Sequence, residues 1–441
     1  MKINCRNLEI YWKIYKGIHK LKKLIVQKFG GTSVADTDKI KNVAKTVIRE
    51  KENGNDVLVV VSAMGHTTDH LVKMAKDLNP NPSAREMDML LSTGECVSIA
   101  LLTMAIQAQG YKAVSFNATQ IGILTENVHS KARIVDIKTE KLRKNLDAGN
   151  IIVVAGFQGV TEDGEITTLG RGGSDTSAVA LAAALNAERC DIYTDVEGVY
   201  TTDPRVVPNA SRMDIVSYEE MLELAHAGAN VLHPRSVETA KQCSVPVRVR
   251  SSFNLDNMGT LIVGVEKMEL NKPVAGVAAD SSQVRIVVCD VPDTPGEAAT
   301  LFGCLADENV SVDMIIQSYA RKTSNTNDIA FTISKEDLPK AIEVLNDVKV
   351  KLGAADVKID ENIAKVSIIG AGMIDRPGIA STMFKTLANN GINIRMISTS
   401  EIKISCLINK EDAQKAVKAL HEEFQLGCDE IADVKGTLPD V

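Results

Sequence analysis

Residues 23–36, KLIVQKFGGTSVAD, end an apolar run in Lys28 and follow it with Gly30, Gly31, Thr32 and Ser33. Glycines without side chains let backbone N–H groups approach an anion, and a lysine at the end of a strand supplies a mobile positive charge to phosphate oxygens. The spacing is neither G-x-x-x-x-G-K nor G-x-G-x-x-G, so on these residues alone an ordinary tight strand-to-helix turn is an equal alternative to a phosphate cradle. His66, His70 and His233 have no partners at metal-ligand spacing, which predicts no metal site built from side chains.

Apolar β-branched runs at 24–27, 56–63, 112–118, 150–157, 190–196 and 245–252 alternate with helical segments as far as about Gly264. That rhythm predicts a layered α/β sandwich on a mostly parallel sheet, with ligands gathered beyond the carboxyl ends of the strands. KFGG, SAMGH, AGFQG and TDVEG each follow a strand directly and converge there. After 264 the texture changes to a repeat: residues 288–318 match 368–400, with Pro295-Gly296 answered by Pro377-Gly378 and Met314-Ile315 by Met396-Ile397. Each copy reads as strand, helix and second strand, so two small α+β modules are expected at about 283–350 and 363–436, with a strand from 272–279 available to the second. The 1–23 extension is basic and amphipathic, and reads as a membrane-surface helix, a solvated helix or a misassigned start, with no function attached.

The 441 residues exceed one ordinary domain, and the net charge of −7 opposes a general nucleic-acid backbone binder. Eight cysteines (5, 96, 190, 243, 289, 304, 406 and 428) form no C-x-x-C pair, the pattern of a reducing cytoplasm. No apolar run approaches the roughly 18 residues of a membrane span, and no cleavable leader is legible.

With the KFGGTSV loop, TLGRGGSD at 168–175, TDVEGVYTTDPR at 194–205 and the tandem repeat in view, the chain from Leu24 onward resembles the aspartokinase family. The resemblance implies an amino-acid-kinase fold over 24–264, then two ferredoxin-like ACT modules over 265–441. It implies Mg-ATP-dependent phosphorylation of the side-chain carboxylate of L-aspartate to 4-phospho-L-aspartate, the first step toward lysine, threonine and methionine. With no further G-x-G-x-x-G opening after the repeats, no fused homoserine dehydrogenase domain is expected.

An aspartate carboxylate is ionised at neutral pH and needs no general base, so the chemical task is electrostatic: two anions must meet in line while charge on the transferring group is neutralised. Lys28 is the candidate for that neutralisation, with Gly30, Gly31 and Ser33 completing the cradle. Arg171 sits among glycines where a forked guanidinium meets a carboxylate, and Glu95 lies just inside a helix, where capping alone is the competing explanation. The resemblance puts a substrate carboxylate at Arg171 and the substrate ammonium at Glu95, with Thr68 a further contact of uncertain register in the Ser62–Asp69 loop. Ser174 and Asp175 open a helix, as N-caps often do, and the family role of Asp175 is to orient the catalytic lysine. Thr194, Asp195, Tyr200 and Arg205 fall where the family holds the nucleotide, although TTDPR also reads as a turn, and Mg²⁺ would arrive with the phosphates.

In the repeats the resemblance places an effector amino acid at Asp293, Gln317, Asn393 and Ile394, with lysine the first expectation and threonine the second. Asp293 is as readily a helix cap. ACT modules commonly pair across subunits, so a homodimer or dimer of dimers is expected. Another kinase of this fold, acting on acetylglutamate, glutamate or a nucleotide, and a non-catalytic amino-acid sensor are the alternatives.

Overall fold

Leu24–Phe29 forms β1, a six-residue strand buried along nearly its whole length. Such near-continuous burial suits the middle of a parallel sheet. β1 pairs in parallel with β2 (Asp56–Val61) on one side and β9 (Arg189–Thr194) on the other. The sheet continues through β3 (Ala113–Phe116), β6 (Ile151–Ala155), β10 (Ile215–Ser217), β11 (Val247–Ser251) and β12 (Thr260–Val263), in the order β10-β12-β11-β9-β1-β2-β6-β3. Only the β11–β12 pair is antiparallel. Because β9, β1, β2 and β6 are adjacent and parallel, the four loops after them emerge at one edge. The computed structural model describes residues 22–229, 231–265, 272–319, 325–374 and 376–428. The expectations for the start of the chain through residue 21, and for the second module from 429 to 436, lie outside these residues.

Helices Thr37–Glu52 and Thr93–Gln107 cover one face of the sheet through Val43, Val47, Ile99, Leu102 and Ile106, each such buried side chain contributing roughly 1.5–3 kcal/mol. By length and composition the run Ala84–Gln107 could cross a membrane, contrary to the sequence expectation. It is interrupted at Ser92, buries the carboxylates of Asp88 and Glu95, and packs on the sheet, which explains its apolar composition as that of a core helix pair. A second sheet, β5-β4-β7-β8, is formed by β4 (Ile123–Thr125), β5 (Ile134–Ile137), β7 (Gln158–Val160) and β8 (Ile166–Thr168). The sequence pattern did not show it, because strands of three or four residues have too few alternations to register.

The chain divides into two compact units, and the division does not follow the sequence boundary at 264. The first holds the residues up to Val199 with Asp214–Tyr218 and Val231–Gly264; Tyr200–Met213 and Glu219–Asn230 join residues from 265 onward in the second. Hydrogen bonds within the second unit explain this. Thr201 Oγ1 reaches His421 Nε2 at 3.0 Å and the Leu426 carbonyl at 3.1 Å, and Ala371 N–H donates to Glu220 Oε1 at 2.8 Å.

In the second unit, β14 (Gln283–Pro292), β15 (Val312–Gln317), β16 (Thr326–Ser334) and β17 (Asp356–Asp360) form one antiparallel sheet, ordered β15-β16-β14-β17. The other is β13-β18-β20-β19, from β13 (Gly276–Asp280), β18 (Ile363–Ile369), β19 (Met396–Thr399) and β20 (Lys403–Asn409). β13 takes the edge place in the second module that β17 takes in the first. Met314 and Ala330 of the first sheet share a core with Ile363, Met396 and Leu407 of the second.

Candidate active site

Lys28 is the penultimate residue of β1, and its Nζ lies 2.6 Å from Asp175 Oδ1 as an ion pair, each side chain 12% exposed. Asp175 stands in the first turn of the Gly173–Ala184 helix, whose residues 173–175 and 177–182 are buried. The run of small residues lets this helix pack closely on the sheet. The cap is Gly172, at φ 67 and without a side-chain cap bond, so neither Ser174 nor Asp175 serves the capping role that competed with function. Only glycine fits at 172, since a Cβ there would stand 2.2 Å from His233 Cβ as well as strain the backbone.

The loop after β1 closes tightly. Gly31 O accepts from Gly65 N at 3.0 Å, and a Cβ on Gly31 would stand 2.8 Å from the Ala63 carbonyl, so the β1 and β2 loops interlock only with glycine there. Ser33 Oγ lies 2.6 Å from Ser252 Oγ. Around Gly30, by contrast, a Cβ would meet only Lys28 Nζ, at 3.6 Å. This leaves open space beside a cation, as an anion requires.

Glu95 is 3% exposed, the third residue of the Thr93–Gln107 helix. Its Oε1 accepts from Ala63 N at 3.0 Å at the end of β2, while the buried Oε2 has no hydrogen-bond partner. Burial pushes the carboxyl up to about 7, against the opposing pull of backbone N–H groups of Glu95 itself and Ala63. A buried acceptor without a donor costs ~1–3 kcal/mol, which an arriving ammonium would offset.

Arg171 is exposed on the Thr168–Gly172 loop. Thr68 is half-buried in the first turn of the Thr67–Leu78 helix, beside Thr67, whose Oγ1 donates to the Met64 carbonyl at 2.6 Å. At the end of β9, Thr194 Oγ1 donates to Asp195 Oδ1 at 3.0 Å. Tyr200 and Arg205 belong to the second unit, where Arg205 closes on its own Asp203 at 2.8–3.2 Å, the turn that competed with a nucleotide contact.

Several supporting groups were not singled out from the sequence. Asp191 of β9, fully buried, accepts a fork from Arg248 at 2.9 and 2.8 Å and a further bond from Arg189 at 2.9 Å. Tyr193 stacks on Phe29 at 4.5 Å, its phenol pushed up to about 12 by burial. The Asp191–Arg248 fork thus ties β9 to β11, and the Tyr193–Phe29 stack ties β9 to β1. Phe157, in the AGFQG loop, holds φ at 68, a conformation that a bulky residue keeps only under constraint from Ser177 Oγ and Leu169 N. Asp88 is a buried carboxylate in the Ala84–Leu91 helix. The one sequence signal was a charge amid the apolar residues of EMDMLL.

In the second unit Asp293 is exposed and caps nothing; its Oδ1 accepts from Asn327 Nδ2 at 3.0 Å, and the Glu297–Asp307 helix is capped by Gly296 instead. Asn327 was not foreseen, and its buried Oδ1 has no hydrogen-bond partner. Gln317 ends β15 and is exposed. Asn393 and Ile394 precede β19 rather than begin it, because the strand starts only at Met396.

The fold and the loop geometry define a phosphoryl-transfer enzyme: residues 23–251 match the amino acid kinase family, and 284–348 and 366–424 match the ACT domain. The chain belongs to the aspartokinase family, ATP-dependent kinases that act on aspartate. It is 53% identical to the aspartokinase of Bacillus sp. (strain MGA3) over 91% of this chain and 97% of that one. It is also similar to E. coli aspartokinase III in complex with aspartate and ADP (R-state), with TM-score 0.78, 29% identity and coverage of 91% of this chain and 99% of that one. The same E. coli enzyme in complex with lysine and aspartate (T-state) gives TM-score 0.71 at the same identity and coverage.

Proposed function

We propose that the site transfers the γ-phosphoryl group of ATP to the side-chain carboxylate of L-aspartate through electrostatic positioning, with Lys28 as its central cation. The observation that carries this is the Lys28–Asp175 pair at 2.6 Å beside the open space at Gly30. Asp175 holds the ammonium where β1 ends, so the charge needs no reorganisation when negative charge builds on the transferring group. Gly30, Gly31 and Ser33 shape the phosphate cradle, and Thr194 and Asp195 border the nucleotide. For Tyr200 and Arg205 the nucleotide assignment rests on family resemblance alone.

Glu95 meets the substrate ammonium through its unpartnered Oε2, and Arg171 meets the α-carboxylate, which leaves the side-chain carboxylate as nucleophile. Thr68 and Ser174 flank that pocket. Mg²⁺ would arrive with the nucleotide, held mostly by its phosphates and water, and would supply charge neutralisation there. The region from 265 onward is the regulatory part. Asp293, Gln317, Asn393 and Ile394 take an effector amino acid, lysine first and threonine second, in an enzyme that assembles as a homodimer or dimer of dimers in the cytoplasm.

A coupled ADP-release assay offering L-aspartate, acetylglutamate and UMP in turn tests the reading. Turnover with aspartate alone is expected; turnover with either alternative and none with aspartate would overturn it.

A further inference from the structure

The Arg171 loop is fastened to the rest of the first unit by a carboxylate far back in the chain. Asp88, fully buried, accepts from Thr168 Oγ1 at 2.6 Å, from Ser130 N at 2.9 and 3.1 Å, and pairs with His129 Nδ1 at 2.9 Å. Thr168 is the last residue of β8 and the first of TLGRGG. Ala132 N donates to the Thr168 carbonyl at 3.0 Å, and a Cβ on Gly170 would stand 3.0 Å from the Ser130 carbonyl. The 129–132 segment, with Ser130 held at φ 68, is therefore a strap laid between Asp88 and the base of the Arg171 loop.

The backbone around Asp88 leads the other way. Its carbonyl accepts from Ser92 N at 3.1 Å, the Ser92 carbonyl accepts from Gln158 Nε2 at 2.5 Å, and Glu95 follows within one turn. Asp88 thus ties the Ser92 turn, which leads into the helix that presents Glu95, to the loop that presents Arg171. A fully buried carboxylate is costly unless hydrogen-bond partners surround it, and here three residues of two segments, Thr168 and the His129–Ser130 pair, supply them.

On the reading that Glu95 and Arg171 grip the two ends of the amino-acid substrate, we propose that Asp88 is a positioning residue that sets the spacing of that grip, acting through Thr168 and the 129–132 strap. It touches neither substrate nor nucleotide. Its loss loosens recognition of the α-carboxylate more than any other step.

The test compares Asp88→Asn, Thr168→Val, Thr168→Ser and Arg171→Lys in the full chain. Asp88→Asn and Thr168→Val are expected to raise the aspartate KM by about tenfold while the ATP KM stays within about twofold, and Thr168→Ser, which keeps the hydroxyl, restores the wild-type value. Both damaged variants should also lose the wild-type preference for L-aspartate over its α-amide, because only a placed Arg171 reads that carboxylate. A lower melting temperature with an unchanged aspartate KM and an unchanged α-amide preference would overturn the proposal as merely structural; if Asp88→Asn does not fold, Thr168→Val decides by the same measures. Arg171→Lys separates the two layers. If it leaves the aspartate KM unchanged, the grip itself is wrong and the proposal falls with it; if it raises KM while the Asp88 and Thr168 variants do not, only the positioning role is overturned.

Discussion

Replacing Glu95 by Gln removes a titration that burial has moved into the neutral range. In the folded, substrate-free enzyme the carboxyl stands at about 7, against 4.5 for the unperturbed group, because its ionised form is desolvated. An acid raised on folding binds more protons in the folded than in the unfolded state, so its contribution to stability declines as pH rises from 4.5 toward 7 and stays at its lowest above 7. The difference of about 2.5 units corresponds to at most ~3 kcal/mol. The melting temperature of Glu95→Gln relative to wild type should therefore climb between pH 5 and pH 8, by differential scanning fluorimetry. Substrate binding runs in the opposite sense, since the ammonium pairs only with the ionised form. With about half of Glu95 ionised at pH 7 and about one tenth at pH 6, the aspartate KM at saturating ATP should rise about fivefold over that interval, and change less than about twofold from pH 7 to pH 8. In Glu95→Gln the KM is higher throughout and flat. A wild-type KM that ignores pH from 6 to 8, or a Gln variant with the same slope, would refute the assignment of the ammonium to Glu95.

Lys28→Met should lower kcat by several powers of ten with an unchanged far-UV spectrum, since a cation at the transferring group is worth a few kcal/mol; activity within about threefold of wild type in the ADP-release assay would remove Lys28 from its role. Asp175→Asn should lower kcat through a misplaced Lys28 while leaving the aspartate KM within about threefold, checked in the same assay. In the regulatory part, Asp293→Ala and Gln317→Ala should abolish inhibition by lysine, or by threonine if that is the effector, with basal kcat nearly unchanged. Dose–response curves for lysine, threonine and methionine, singly and paired, decide this. Full inhibition of both variants would move the effector elsewhere.

Long periodic features were legible in the sequence. The β2 and β6 runs are apolar enough to require burial on both faces, the β1, β9 and β11 runs carry enough β-branched residues to read as strands, and the four glycine-containing loops follow from where β1, β2, β6 and β9 stop. The repeat could be read because its turns share Pro-Gly at fixed spacing. What escaped were tertiary ties between short or distant segments. Asp88 reaches residues 41, 42 and 80 positions later in the chain, which no local pattern encodes. The small β5-β4-β7-β8 sheet is built from strands too short to show a period. Asn327 finds Asp293 across the β14–β16 ladder, and the stretch 200–213 joins the second unit through Thr201 and His421 rather than by chain order. Ser174 and Asp175 looked like caps because short polar residues at a helix start usually are; Gly172 took that role, which left Asp175 for Lys28.

The central claim, transfer of phosphate to the side-chain carboxylate of aspartate at the Lys28 cradle, is tested most directly by hydroxylamine trapping. Incubating the full chain with Mg-ATP, L-aspartate and hydroxylamine should yield aspartate β-hydroxamate in step with ADP, and Lys28→Met should yield almost none. ADP release from the wild type without hydroxamate, or equal hydroxamate from the Lys28 variant, would contradict it.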